Sequence, residues 1–135
     1  MVRAALSCPR VEIRKEGTVV AIVDDDVSIR RALTGLMKVV GFQARAFASA
    51  QEFLESGEQE RTGCLIADIR MPGMSGLELQ AALNAAHCWI PTIFITAHDD
   101  ERLRTEALKG GALEFVAKPF DDEALVASVR AALER

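Results

Sequence analysis

Four apolar runs in this sequence end abruptly on residues that can do chemistry. "TVVAIV" runs into Asp24-Asp25-Asp26, "CLIAD" stops on Asp68, "TIFIT" stops on Thr96, and "LEFVA" leads straight to Lys118. If a fold gathers these ends, several carboxylates share a few ångströms, and like charges raise one another's pKa unless a cation intervenes. A hard divalent ion such as Mg²⁺ resolves that conflict, taking one or two carboxylates together with waters and a phosphate oxygen. The Lys118 ammonium, the Thr96 hydroxyl and the backbone N–H of Ala97 complete a set suited to an incoming phosphoryl group. Phosphoryl transfer asks mostly for positioning and charge neutralisation, and aspartate is a covalent nucleophile in such chemistry. Taken singly, each acid is also an ordinary turn former; the joint pattern is what points to a site.

The elements between these runs say whether the ends can meet. From Thr18 a continuous apolar run marks a parallel strand buried on both faces. Ile29, Ala32, Leu33, Leu36, Met37 and Val40 then form one helical stripe, stopped by Gly41. "FQARAF" alternates as a short strand, and "SAQEFLES" predicts a short helix opened by Ser49 and closed near Gly57. "CLIAD" is a third strand, followed after Gly76 by a helix carrying Leu77, Leu79, Ala82, Leu83 and Ala86. Pro91 heads the fourth strand, where a proline precedes the ladder. Asp99 or Asp100 can cap the next helix, which ends at Gly110-Gly111; "LEFVA" is the fifth strand, and Asp121 caps a last helix. Trp89, in the loop before Pro91, is expected to lie packed at the bottom of the sheet.

Five strands alternating with five helices, joined by right-handed crossovers, predict an α/β domain with helices on both faces of a parallel sheet. The natural solution is a flavodoxin-like doubly wound sheet of order 2-1-3-4-5, which binds ligands beyond the carboxyl ends of its strands. In that topology Asp24, Asp25, Asp68, Thr96 and Lys118 converge on one edge. Residues 1–17, with mixed charge, Pro9 and Gly17, are expected to form a loosely ordered arm, leaving 18–135 as the single domain.

Bulk properties narrow the function classes. A chain of 135 residues, half of them apolar and 27% charged, suits one globular core. The net charge of −4 and the lack of a basic block argue against direct nucleic-acid binding. No apolar run is long enough to span a bilayer, and "MVRAALSCPR" lacks the apolar core of a signal peptide. Cys8, Cys64 and Cys88 are odd in number and lack metal-ligand spacing, and Cys64 reads as a small core hydrophobe. A cytoplasmic location fits these features.

"IVDDDVSIRRAL", "CLIADIRMPGMSGLEL", "IFITAH" and "FVAKPF", in this order and spacing, resemble the receiver domain of two-component response regulators over roughly residues 18–134. The flavour is that of receivers found in transcription-factor response regulators. The resemblance implies that Asp68 is the phosphoacceptor, served by a sensor histidine kinase. It implies that Asp25 and Asp68 hold Mg²⁺ directly with the backbone carbonyl of Arg70, and that Asp24 acts mainly through a water of the ion's shell. Thr96 and Lys118 would bond phosphoryl oxygens, and the Lys118–Pro119 bond is expected to be cis. Phe115, which from sequence reads equally as plain core, occupies the family's aromatic switch position. Arg70 and His98, each two residues beyond a site residue, border the site, with His98 at its rim.

The function expected from this resemblance is a phosphorylation-dependent switch, not a turnover enzyme. Phosphorylation would remodel the surface made by the fourth helix, fifth strand and fifth helix, for homodimerisation or for docking an output domain or downstream protein. The fourth helix, "DDERLRTEALK", has a thin apolar stripe of Leu103, Ala107 and Leu108 and is expected to be loosely held. A rival reading is an aspartate-nucleophile phosphohydrolase resembling the haloacid dehalogenase family. It takes "IVDDDV" as the nucleophile loop, with Asp24 as nucleophile and Asp26 as acid. A third is a degenerate receiver that only binds partners. The chain reads as a stand-alone regulator or as the receiver of a longer transcription factor.

Overall fold

In a computed structural model of the chain, residues 18–97 and 100–134 are described. The arm expected over 1–17, His98 and Asp99 lie outside them. The elements follow in the order β1 (Val19–Val23), α1 (Val27–Val39), β2 (Ala44–Phe47), α2 (Ala50–Ser56), β3 (Thr62–Asp68), α3 (Gly76–Ala85), β4 (Thr92–Thr96), α4 (Glu101–Lys109), β5 (Glu114–Ala117) and α5 (Asp122–Leu133). All strand pairs are parallel and the order is β2-β1-β3-β4-β5, the doubly wound arrangement predicted from the alternating pattern.

Every residue of β1, β3 and β4 is buried, which is why these strands read as unbroken apolar runs. Successive side chains feed opposite faces of the sheet. Val20, Ile22, Cys64, Ile66, Ile93 and Ile95 meet Leu33 and Met37 of α1 and Leu125 and Val129 of α5. Ala21, Val23, Leu65, Ala67, Phe94 and Phe115 meet Phe53 of α2, Leu79 and Leu83 of α3 and Ala107 of α4. Burial pushes the Cys64 thiol up to about 12, so it behaves as the small hydrophobe the sequence suggested.

Local signals set the element ends. Asp26, Ser49, Ser75, Asp100 and Asp121 each cap a helix with a side-chain oxygen, so Asp100 takes the role left open between it and Asp99. Ser75 and Glu78 form a reciprocal capping box at the start of α3.

Three details differ from expectation. First, β3 begins two residues early, at Thr62. Gly63 permits this, because a Cβ there would stand 2.5 Å from Thr18 Cγ2 and 2.8 Å from Leu133 Cδ2. Second, a 3-10 turn over Gln59–Arg61 leads into β3. Its Gln59 is buried, with Nε2 donating to the Leu54 carbonyl at 2.8 Å. Third, Trp89 is 63% exposed instead of packed under the sheet, because Cys88 and Ile90 take the inward positions on either side.

Candidate functional site

The carboxyl ends of β1 and β3 lie side by side, since Val23 pairs with Ala67, and this brings Asp24 beside Asp68. Asp24, Asp25 and Asp68 each offer a carboxylate oxygen within 4.8 Å of the others. Asp24 and Asp68 are buried and Asp25 is exposed, so the cluster opens to solvent on one side. Lys118, just beyond β5, extends its Nζ into this cluster, 3.2 Å from Asp24 Oδ2 and 3.4 Å from Asp68 Oδ2. The lysine backbone N–H donates to the Thr96 carbonyl at 2.8 Å, and the Lys118–Pro119 peptide is cis.

Asp24 is held at both ends of its carboxylate. Oδ1 accepts the Asp26 backbone N–H at 2.9 Å, while Oδ2 faces the lysine. Arg30, from the first turn of α1, donates to the Asp24 carbonyl at 2.7 Å and ties down the corner between β1 and α1. Nothing in the sequence flags Arg30, because a contact six residues back across a corner has no periodic signature.

The electrostatics carry a built-in conflict. Burial, followed by the neighbouring Asp24 charge, holds the Asp68 carboxyl above its ordinary pKa, with Lys118 and the Ile69 N–H opposing. Burial alone would lower the Lys118 pKa, but the two carboxylates outweigh it and hold the ammonium above its usual range. A three-carboxylate set with hard oxygen donors could coordinate a divalent metal, which would relieve the same repulsion that the lysine relieves in part.

Thr96 ends β4 fully buried, and its neighbour Ile95 pairs with Asp68, so threonine and aspartate finish adjacent strands. Ala97 and Arg70 are exposed on the loops after β4 and β3. Phe115 is buried in β5, three residues before Lys118, under the Arg104 guanidinium.

The loop after Asp68 fits closely against α3. The Gly76 N–H donates to the Ile69 carbonyl at 2.8 Å. A Cβ on Gly76 would collide with the Asp68 carbonyl oxygen and stand 3.0 Å from Ile69 Cα. The sequence pattern marked Gly76 only as a helix start; its second task, letting α3 seat directly against the backbone of Asp68, is visible only in three dimensions. Asp26, the acid of the rival reading, is exposed and caps α1. Its Oδ1 accepts the Ser28 N–H at 2.8 Å.

Comparison with known proteins agrees with this geometry. Residues 20–130 match the response regulator receiver domain family. Nodulation protein W of Bradyrhizobium diazoefficiens is 47% identical over 117 residues, covering 87% of this chain and 52% of that protein. The transcriptional regulatory protein FixJ of Azorhizobium caulinodans is 43% identical over 120 residues, covering 89% of this chain and 57% of that one. The chain thus spans about half the length of these curated relatives. Among solved structures, response regulator StyR superposes with a TM-score of 0.81 at 45% identity, covering 87% of this chain and 59% of that one. FixJ-N superposes with a TM-score of 0.80 at 36% identity, covering 87% and 94%. By sequence and by fold, the chain belongs to the response regulator receiver family, whose members relay a signal through phosphorylation of an aspartate and are not turnover enzymes.

Proposed function

We propose that Asp68 is the phosphoacceptor of this receiver and that its donor is the phosphohistidine of a sensor histidine kinase. A single observation carries the reading: at the carboxyl edge Asp68 is the one acid that ends a central strand, with carboxylates on one side and the Lys118 ammonium on its own oxygen. An Asp68 oxygen attacks phosphorus, the P–N bond to the imidazole breaks, and its electron pair returns to the ring nitrogen. To attack, the carboxylate must be ionised. Lys118 opposes the desolvation that would protonate it and stands where a second anionic oxygen would need a counter-charge.

Asp25, Asp68 and the Arg70 carbonyl, with Asp24 nearby, are the groups that would hold Mg²⁺. Bound there, the ion would neutralise the charge of the carboxylates and of the phosphoryl oxygens. The Thr96 hydroxyl and the Ala97 N–H are proposed to bond the remaining oxygens. In this reading Thr96 moves toward the phosphoryl group and Phe115, the switch residue, already buried in this structure, repacks behind it. The surface formed by α4, β5 and α5 then changes shape for a homodimer, an output domain or a downstream protein. The proposed setting is the cytoplasm, and the proposed domain is 18–135; among the described residues no helix is long and apolar enough to cross a membrane.

The test is beryllofluoride or acetyl phosphate with Mg²⁺, read by NMR at Phe115 and α4. Wild-type protein is expected to show large shifts at both, and Asp68→Asn to show none. A response of Asp68→Asn equal to wild type overturns the assignment.

A further inference from the structure

Helix α4 is anchored by a few contacts: Leu103 packs half-buried against the core, and Gln80 of α3 donates its Nε2 to the Ala107 carbonyl at 3.0 Å. Among the described residues Ala107 is its one buried side chain, and Leu108 is 45% exposed. Arg104 adds a contact to β5. The Arg104 guanidinium, three positions before Ala107 and half-buried, lies 4.9 Å from the centroid of the Phe115 ring. Its NH1 also reaches the Phe115 carbonyl at 3.4 Å. A single side chain of α4 therefore grips both the ring and the backbone of one residue on β5. A planar cation over an aromatic face is attracted by the ring's quadrupole and, being planar, also fixes the ring's tilt.

Phe115 is close to the site along the chain and across the sheet. It pairs with Phe94, two residues before Thr96, and it precedes Lys118 by three residues. A turn of the Phe115 ring would disturb its face contact with the Arg104 guanidinium.

We propose that Arg104 is a latch: a positioning residue that stabilises the resting arrangement of Phe115 and α4 and so sets how readily the phosphorylated state is reached. This rests on the reading of Asp68 and Phe115 given above. A ligand that prefers the switched state gains apparent affinity when the resting state loses stability, because less of its binding is spent on the conversion.

The experiment measures beryllofluoride affinity, with Mg²⁺ and by ¹⁹F NMR, for wild type, Arg104→Ala and Arg104→Lys. The Phe115 ring resonances are followed in parallel. Arg104→Ala is expected to bind about two- to fivefold more tightly, the range a half-exposed cation–ring contact supplies. Its unliganded Phe115 resonances are expected to lie part-way toward those of liganded wild type. Arg104→Lys, which keeps the charge and loses the planar fork, is expected to fall between. If wild type binds and Arg104→Ala binds equally or more weakly, with the ring resonance unmoved, the latch is overturned and the Asp68 reading stands. If wild type itself gives no response, the Asp68 reading is overturned, and the latch with it.

Discussion

The two ends of this sheet treat buried polar groups in opposite ways. At the amino end, Thr62 and Thr92 are buried, and each hydroxyl is satisfied by a near neighbour. Thr62 Oγ1 donates to the Glu58 carbonyl at 2.7 Å, and Thr92 Oγ1 donates to the Ile90 carbonyl at 2.8 Å. At the carboxyl end, Asp24 and Asp68 are buried within reach of each other and of Asp25, and one half-buried lysine serves two of the three. The two hydroxyls of the amino end need nothing further, although the buried Oε1 of Gln59, just before β3, has no hydrogen-bond partner among the described residues. The carboxyl end carries a surplus of negative charge in a place where charge is costly. Polar residues that satisfy themselves locally hold a fold together, whereas residues left in mutual conflict at one edge await a cation and an anion from outside.

Substitutions can break or sharpen that contrast. The largest effect is expected at Gly76, because a side chain there meets backbone, which cannot swing aside. Gly76→Val should lower stability by about 3 kcal/mol, read as a drop in the urea midpoint. A loss within experimental error would mean that α3 does not seat against Asp68 as described.

A smaller effect, of opposite sign, is expected from relieving the conflict itself. Asp68→Asn in metal-free buffer at neutral pH should raise stability by about 1 kcal/mol. The pH dependence follows from the raised pKa of Asp68. The native state takes up that proton more readily than the unfolded chain, so this residue adds stability as pH falls from neutral through its raised pKa. The difference between wild type and Asp68→Asn should therefore shrink on acidification. A difference that grows instead would reverse the sign assigned here.

The smallest effect belongs to the quiet end of the sheet. Thr62→Val removes one satisfied hydroxyl and should cost about 0.5–1 kcal/mol with little pH dependence. A pH-dependent loss at Thr62 would undo the distinction between the two edges.

Much of this was legible before any coordinates. Runs buried on both faces have a one-dimensional signature, so β1, β3 and β4 could be read directly, and the topology then forced Asp24, Asp68 and Lys118 to one edge. Caps were also visible, because Ser49 and Asp121 act within a few residues of themselves. What escaped were contacts between distant segments. The approach of Gly76 to Asp68, the early start of β3 at Thr62 and the grip of Arg104 on Phe115 depend on how elements seat against one another. Trp89 misled for a related reason: a large aromatic beside a buried strand reads as core, but Cys88 and Ile90 had already filled the inward positions.

That misplaced ring has a spectroscopic consequence. The sequence holds one tryptophan and no tyrosine. Nearly all intrinsic ultraviolet emission therefore comes from an indole that is 63% exposed, before β4 and at the far end of the sheet from Asp68. The His87 ring stands edge-on to it, with its centroid 5.2 Å away. This signal follows hydration and loop motion at the amino edge, and a flat emission titration says nothing about whether the carboxylates have been filled.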